Sequence, residues 1–236
     1  MAKLASNSLR QVQGAIEEAQ KQSARSSSKV TLICVSKYHE VSEAMALYEA
    51  GQRHFAENYV QGLEKKKAAM PRDVIWHLIG PLQSRKVKDV INDITYYHAL
   101  SRQKIAKEIN KRANHTVACF VQVNISGEAS KSGLAPAQVA DFIDQLAAYP
   151  RIKVVGLMTM APHGASEEEC TEIFTQLSAL RTQIAEKNLR HAPCTELSMG
   201  MSEDYLTAVH CGASFVRLGR RLFAEPKTAD SKEERK

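Results

Sequence analysis

The sequence has no long apolar run, because no stretch of about 18 apolar residues occurs anywhere along the chain. We therefore expect no membrane-spanning helix. Residues 1–7 lack the apolar segment of a secretory signal, so we expect a cytoplasmic protein. Aromatic residues make up only 6% of the chain, and the net charge of +6 is spread over several helical segments. One of these is the lysine run 65–67, which is typical of a solvated helix face. A nucleic-acid interface needs concentrated positive charge with stacking aromatics, so no nucleic-acid partner is expected.

The sequence is also poor in closely spaced cysteines. None of the five has a neighbour at the spacing of a disulfide framework or a zinc site, and we expect most of them to be reduced residues in or near the core. No metal is predicted. The cysteines are Cys34, Cys119, Cys170, Cys194 and Cys211.

No linker divides the chain, and no internal repeat is visible beyond an alternation of strand-like and helical patterns. We predict a single domain over residues 1–226. Residues 227–236 are charged and have no apolar anchor, which predicts a disordered tail.

Eight strand-like runs are present, and helical patterns separate them. Eight strands alternating with helices over roughly 200 residues indicate an α/β fold, a (β/α)8 TIM-type barrel. A doubly wound open sheet is the alternative. The predicted strands are 30–37, 54–58, 74–80, 95–100, 116–124, 152–160, 194–200 and 214–223.

An extra N-terminal helix is predicted before the first strand, because Leu9, Val12 and Ile16 share one helical face. Later in the chain, Ser166 followed by Glu169 forms a capping box that predicts the start of another helix. Glycines at 51 and 212 stand where two helices should end.

A lysine ends the first strand-like run. Strand alternation places Ile33, Val35 and Lys37 on one face. Partial desolvation there would favour the free amine that an aldehyde needs, which makes Lys37 a candidate Schiff-base residue. The alternative is a strand-end lysine whose ammonium reaches into water.

The last two strands supply a candidate anion site, because barrels of this type often bind phosphate in the loops that follow them. The segment from Leu197 to Ser202 contains Gly200 and two serines, and we expect Ser202 to cap a helix. In the eighth strand Arg217 requires a partner, since a buried guanidinium is costly without one. The residues alone favour an internal carboxylate over the ring nitrogen of a bound cofactor.

Taken together, ordered motifs over about residues 5–225 resemble the pyridoxal phosphate homeostasis proteins, which are similar to the N-terminal barrel of alanine racemase. The motifs run along nearly the whole chain. They are Val35-Ser36-Lys37, Phe55-Ala56-Glu57-Asn58-Tyr59-Val60-Gln61, Trp76-His77-Leu78-Ile79-Gly80-Pro81-Leu82-Gln83, Val123-Asn124 with Lys131-Ser132-Gly133, Gly156-Leu157-Met158, Leu197-Ser198-Met199-Gly200-Met201-Ser202 and Val216-Arg217-Leu218-Gly219.

The resemblance implies that Lys37 binds pyridoxal 5'-phosphate (PLP) as a Schiff base. It also implies three further groups of contacts. The phosphate would lie at Ser198, Gly200, Gly219 and Arg220, the pyridine nitrogen at Arg217, and the ring among Asn58, His77, Met158 and Met199. The sequence departs from the family at Arg220, where a hydroxyl residue is usual.

The resemblance further implies a non-catalytic carrier that buffers PLP and maintains vitamin B6 and amino-acid homeostasis. An arginine beside the ring nitrogen disfavours its protonation and weakens the ring as an electron sink. Racemisation needs a second acid or base, which alanine racemase takes from a further domain and a partner subunit. We expect a monomer whose partners are PLP and PLP-dependent apoenzymes. The alternatives are a stand-alone PLP-dependent racemase or lyase, and a nucleic-acid or protein adaptor.

Overall fold

A closed barrel of eight parallel strands forms the centre of the molecule, in a computed structural model that describes residues 2–23, 25, 29–128 and 131–223. The strands follow chain order, and β1 pairs with both β2 and β8. This confirms the predicted (β/α)8 fold, and the open sheet is excluded because it would leave two edge strands unpaired. The strands are β1 Thr31–Val35, β2 His54–Glu57, β3 Ile75–Leu78, β4 Tyr96–Leu100, β5 Val117–Gln122, β6 Ile152–Met158, β7 Glu196–Ser198 and β8 Phe215–Leu218.

Helices precede, separate and follow these strands. Short 3₁₀ turns at Ser84–Lys86, Pro136–Gln138 and Leu146–Ala148 adjoin two of them. Among the described residues, no helix is both long enough and apolar enough to span a bilayer. The helices are α1 Ala2–Lys21, α2 Val41–Glu49, α3 Val60–Ala69, α4 Val87–Val90, α5 Gln103–Arg112, α6 Val139–Gln145, α7 Glu167–Glu186, α8 Tyr205–His210 and α9 Arg220–Phe223.

The predicted N-terminal helix is confirmed as α1, whose face with Leu9, Val12 and Ile16 is buried. It packs against α2, α8 and α9 and therefore covers the outside of the barrel where β1 meets β8. The hydroxyl of Ser8 donates to the carbonyl of Leu222 at 2.8 Å. The first helix is thus tied to the last one.

Most strands end earlier than predicted. Strand β1 ends at Val35, so Lys37 lies in the turn that follows rather than at the end of the strand. The predicted strand 214–223 divides into β8 and the helical turn α9, because a buried apolar residue such as Leu222 suits either structure. The expected cap at Ser202 is wrong, since α8 begins after Asp204.

Other local signals are confirmed. Ser166 and Glu169 form the reciprocal capping box at the start of α7. Gly51 and Gly212 follow α2 and α8 with φ of 108° and 94°, a conformation that favours glycine. All five cysteines are free, and all but Cys211 are buried. The predicted disordered tail lies outside the described residues.

Aromatic and imidazole rings fill the middle of the barrel. His77 stacks on Tyr96 with ring centroids 4.6 Å apart, and His98 stacks on Phe120 at 4.4 Å. Phe215 contacts all four of these rings. The interior is therefore a packed core, and a ligand has room only at the ends of the barrel.

Candidate functional site

A cavity of about 620 Å³ opens at the end of the barrel where the strands have their carboxyl termini. Loops that follow seven of the eight strands or the strand ends themselves line it, as expected for a binding site in this architecture. Six of the ten residues predicted from the sequence are in its wall. They are Lys37, Asn58, Met158, Arg217, Gly219 and Arg220.

Lys37 is half-buried in this wall, two residues beyond β1. Its Nζ lies 5.5 Å from the centre of the Tyr38 ring. Within the described part of the chain no carboxylate forms an ion pair with this amine. Lys37 therefore presents an amine to the cavity that is not neutralised by a side chain.

The turn that carries Lys37 is anchored from outside the barrel. The Ser36 hydroxyl donates to Glu57 Oε1 at 2.6 Å, and the Ser36 amide donates to the carbonyl of Ala56 at 3.0 Å. Glu57 in turn pairs with Lys66 of α3 at 2.8 Å. The Glu57 and Lys66 side chains are 3% and 6% exposed, so this is a buried ion pair directly behind the candidate Schiff-base residue.

The lysine run 65–67 corrects the sequence interpretation, which treated it as a solvated face. Lys65 and Lys67 are indeed at the surface, where they pair with Glu40 and Asp93. Lys66 instead lies on the buried face of α3 with Val60 and Leu63. The spacing of these three residues was the available signal, since positions three apart share a helix face.

Arg217 forms the floor of the cavity at 4% exposure. Its Nη1 donates to Ser198 Oγ at 2.6 Å and its Nη2 donates to the carbonyl of Thr159 at 3.0 Å. The internal carboxylate that the residues alone favoured is thus wrong, because both partners are uncharged oxygens. Burial lowers the pKa of the guanidinium to about 10, against a weaker opposing effect of Asp204, so it stays charged at neutral pH.

Four predicted residues lie outside the cavity wall, although close to it along the chain. Ser198 and Met199 are fully buried, and the Ser198 hydroxyl contacts Arg217 and His98 rather than the cavity. His77 is fully buried one layer deeper in the barrel, where burial holds its pKa well below the usual value. Gly200 has φ of 91°, and a Cβ there would lie 2.6 Å from Cβ of Ala208.

The wall beside strands β7 and β8 offers groups suited to an anion. Ser202 contributes a hydroxyl, and Arg220 contributes a guanidinium that pairs with Glu203 at 2.8 Å. A Cβ at Gly219 would lie 3.0 Å from the carbonyl oxygen of Val35, so a side chain there would crowd the end of β1. Asp204 also faces the cavity, but it accepts a hydrogen bond from the Met201 amide at 2.6 Å.

A second amine, which sequence analysis did not assign to the site, also lines the cavity. Nζ of Lys131 lies 3.4 Å from Glu128 Oε2, and it has no hydrogen bond although it is itself buried. The signal was its place in one of the matching motifs. A covalent ligand therefore has two lysines within the same cavity, which any mapping of its attachment must separate.

The approach of Gly80 to Asn58 fixes another part of the wall. A Cβ at Gly80 would lie 2.0 Å from the Asn58 carbonyl oxygen, so we expect Gly80→Ala to displace the backbone and lower the free energy of unfolding by about 1–3 kcal/mol. Urea denaturation measures this. Gly14→Ala in α1 is the matched control, since nothing lies within 4 Å of its Cβ, and it should stabilise by about 0.5–1 kcal/mol. Equal stability of the two variants would contradict this account.

Comparisons with known proteins agree with this geometry. The sequence model of the family described as "Alanine racemase, N-terminal domain" matches residues 9–225. The chain is 37% identical over 221 residues to the "Pyridoxal phosphate homeostasis protein" of Pasteurella multocida, covering 91% of this chain and 94% of that protein. It is also 37% identical over 205 residues to the protein of that name from Schizosaccharomyces pombe, covering 84% and 85% of the two chains.

Solved structures show the same fold. The PipY protein of Synechococcus elongatus with PLP bound has a TM-score of 0.80 and 31% identity, covering 93% of this chain and 99% of that one. Alanine racemase from Corynebacterium glutamicum has a TM-score of 0.70 at 15% identity, covering 92% of this chain and 63% of that one. The second likeness concerns the fold alone.

Proposed function

Because this chain belongs to the alanine racemase N-terminal domain family, and within it to the pyridoxal phosphate homeostasis proteins, we propose that it binds PLP and buffers it as a carrier. Its role is to maintain intracellular vitamin B6 and amino-acid homeostasis, in the cytoplasm. The bound group supplies a reactive aldehyde and an aromatic ring that can store electrons. The protein's part is to hold the aldehyde, the ring and the phosphate.

The observation that carries the proposal is that one cavity is lined both by the Lys37 amine, which no side chain neutralises, and by the buried Arg217 guanidinium. We assign the Schiff base to Lys37 and the contact with the pyridine nitrogen to Arg217, which lies on the cavity floor. The donor set fits an anionic aldehyde, since amine, guanidinium and hydroxyl groups surround it. We assign the phosphate to Ser202, Gly219 and Arg220 in preference to Ser198, because the Ser198 hydroxyl serves Arg217.

A non-catalytic role is supported by the state of two polar groups at the cavity, Tyr38 and His39. Racemisation or elimination needs an acid or base held against the substrate carbon. Tyr38 is 83% exposed, and the ring of His39 stacks on Phe223 while its Nδ1 contacts Glu43. A Tyr38 ring that stands in water is poorly placed for such a step, and the ring of His39 is already held by other side chains.

Incubation with PLP followed by borohydride reduction tests the assignment. We expect one pyridoxyl adduct on Lys37, found by intact mass and peptide mapping, and its loss in Lys37→Arg, which keeps the charge but removes the primary amine. Lys65→Arg is the matched control, since Lys65 is an exposed lysine of α3. An adduct on Lys131 alone would overturn the assignment to Lys37. The absence of any specific adduct would overturn the proposed function.

Isotope exchange at the amino-acid α carbon separates the carrier from the racemase or lyase. We expect no exchange above background with the PLP-loaded protein over a panel of amino acids. Exchange that Lys37→Arg abolishes would establish the enzyme instead. We further propose that the protein acts as a monomer and delivers PLP to PLP-dependent apoenzymes.

A further inference from the structure

A continuous chain of hydrogen-bonding side chains runs through the barrel beneath the cavity. Nδ1 of His54 lies 3.0 Å from Nε2 of His77, and Nδ1 of His77 lies 2.9 Å from Nε2 of His98. Nδ1 of His98 lies 2.8 Å from Ser198 Oγ, which accepts from Arg217. Five inward-facing residues from five strands therefore connect the cavity floor to the opposite end of the barrel.

Water has no access to the middle of this chain. His77, His98 and Ser198 are all fully buried, and the two imidazoles are sandwiched against the rings of Tyr96 and Phe120. Each ring nitrogen of His77 and His98 has its hydrogen-bond partner within this series of five side chains. The direction of these bonds is therefore set by counting protons, because a buried donor without an acceptor is costly.

Only one direction satisfies every group. Arg217 can only donate, so Ser198 must accept from it and direct its own hydroxyl hydrogen elsewhere. Nδ1 of His98 is the acceptor within reach. His98 must then carry its hydrogen on Nε2 and donate to His77, which by the same rule donates from Nε2 to His54. The reverse direction gives Ser198 two donors and leaves its hydrogen unpaired.

We propose that His98 and His77 are positioning residues, whose ordered hydrogen bonds keep a lone pair of Ser198 on Arg217 and thereby fix the guanidinium that faces the cofactor. Only the effect of Arg217 on the cofactor rests on the proposed function, whereas the direction of the hydrogen bonds does not. Without the acceptor on His98, the Ser198 hydroxyl turns and Arg217 loses its shortest bond. A loose guanidinium then holds the pyridine ring less firmly.

Nuclear magnetic resonance of the unmutated, PLP-free protein tests the direction of the chain. Two-bond and three-bond ¹H–¹⁵N correlations distinguish the two neutral tautomers and the imidazolium of each histidine. We expect His54, His77 and His98 all to be neutral at neutral pH, with the hydrogen on Nε2. A hydrogen on Nδ1 of His77 or His98 would overturn the proposal, whether or not PLP binds.

Two substitutions test the effect on the site. In His98→Asn the amide oxygen takes the place of Nδ1 and can still accept from Ser198, whereas His98→Leu removes the acceptor. We expect His98→Leu to weaken PLP binding about tenfold and to shift the pH titration of the bound chromophore. His98→Asn should stay within about threefold of the unmutated protein. Equal behaviour of the two variants would contradict the positioning role.

These outcomes separate the two proposals. If the unmutated protein binds no PLP, the proposed function fails, while the tautomers still report on the chain. If PLP binds Lys37 and a tautomer differs from expectation, only the positioning role fails. Near-ultraviolet circular dichroism of each variant shows whether the barrel is intact.

Discussion

Replacing Lys66 with methionine is expected to lower the free energy of unfolding by about 3–5 kcal/mol, because it leaves the buried carboxylate of Glu57 without its counter-ion. Domains of this kind are stable by only about 5–15 kcal/mol, so the loss is a large part of the total. Methionine matches the length of the lysine stem, so the packing of α3 should change little. Urea denaturation followed by circular dichroism measures the effect.

The neighbouring residue provides the control. Lys65→Met breaks an ion pair whose side chains are 63% and 71% exposed, and such pairs contribute at most about 1 kcal/mol. The double variant Lys66→Met with Glu57→Met should recover part of the lost stability, since no buried charge remains. It leaves the Ser36 hydroxyl without its acceptor, at about 1–3 kcal/mol. A decrease of less than about 1 kcal/mol in the free energy of unfolding of Lys66→Met would contradict the prediction.

Acid is expected to destabilise the protein through the interior histidines. Burial is the first cause that lowers the pKa of His77 and of His98 well below the usual value. Repulsion between protonated neighbouring histidines adds to it for His77, and the charge of Arg217 adds to it for His98. Histidine in the unfolded chain has a pKa of about 6.5. Below that pH the two histidines are protonated in the unfolded chain but remain neutral in the folded protein. Stability due to this pair is therefore complete above about pH 6.5 and falls as the pH falls.

Below about pH 6.5 the slope should rise towards about 1.4 kcal/mol per pH unit for each histidine, or roughly 2.7 for the pair. Carboxylates with lowered pKa, such as Glu40 and Asp73, titrate at lower pH. The other titratable or charged groups near the hydrogen-bonded histidines are Arg217, Tyr96, Glu196 and Lys29.

Urea denaturation at a series of pH values measures the slope. His98→Leu should reduce it by about half, because one of the two neutral histidines is gone. His210→Gln is the control, since His210 is exposed at the end of α8. A slope that is unchanged in His98→Leu would show that the interior histidines do not control acid sensitivity.

The barrel could be predicted because its evidence is local and repeated. Strand periods, the helix signals at Ser166 and Gly51, and the apolar face of α1 each depend on a few neighbouring residues. The site was predictable in part for the same reason. Lys37, Asn58 and Gly219 follow strand ends, and residues at the carboxyl ends of parallel strands meet in one place.

Depth within the barrel was not predictable. Alternation separates inward from outward side chains, but it does not state how far along the axis each one lies, because strand ends vary by one or two residues. Ser198 and His77 were assigned to the cofactor, and both lie in the layer below the cavity. Lys66 and His98 were missed because their partners are on other strands or helices, and such pairings leave no mark on nearby sequence.

The contact of α1 with α9 bears on how the chain is made. Strand β1 is the first to be synthesised, and one of its edges pairs with β8, which is the last. That edge of β1 therefore stays unpaired until nearly the whole chain has been synthesised. The packing of helix α1 is delayed as well, because its partners α8 and α9 are among the last segments synthesised. A nascent chain that stops before β8 therefore presents two open edges, at β1 and β7, which can pair with other chains. The risk of pairing with other chains is therefore greatest during translation, before β8 closes the barrel.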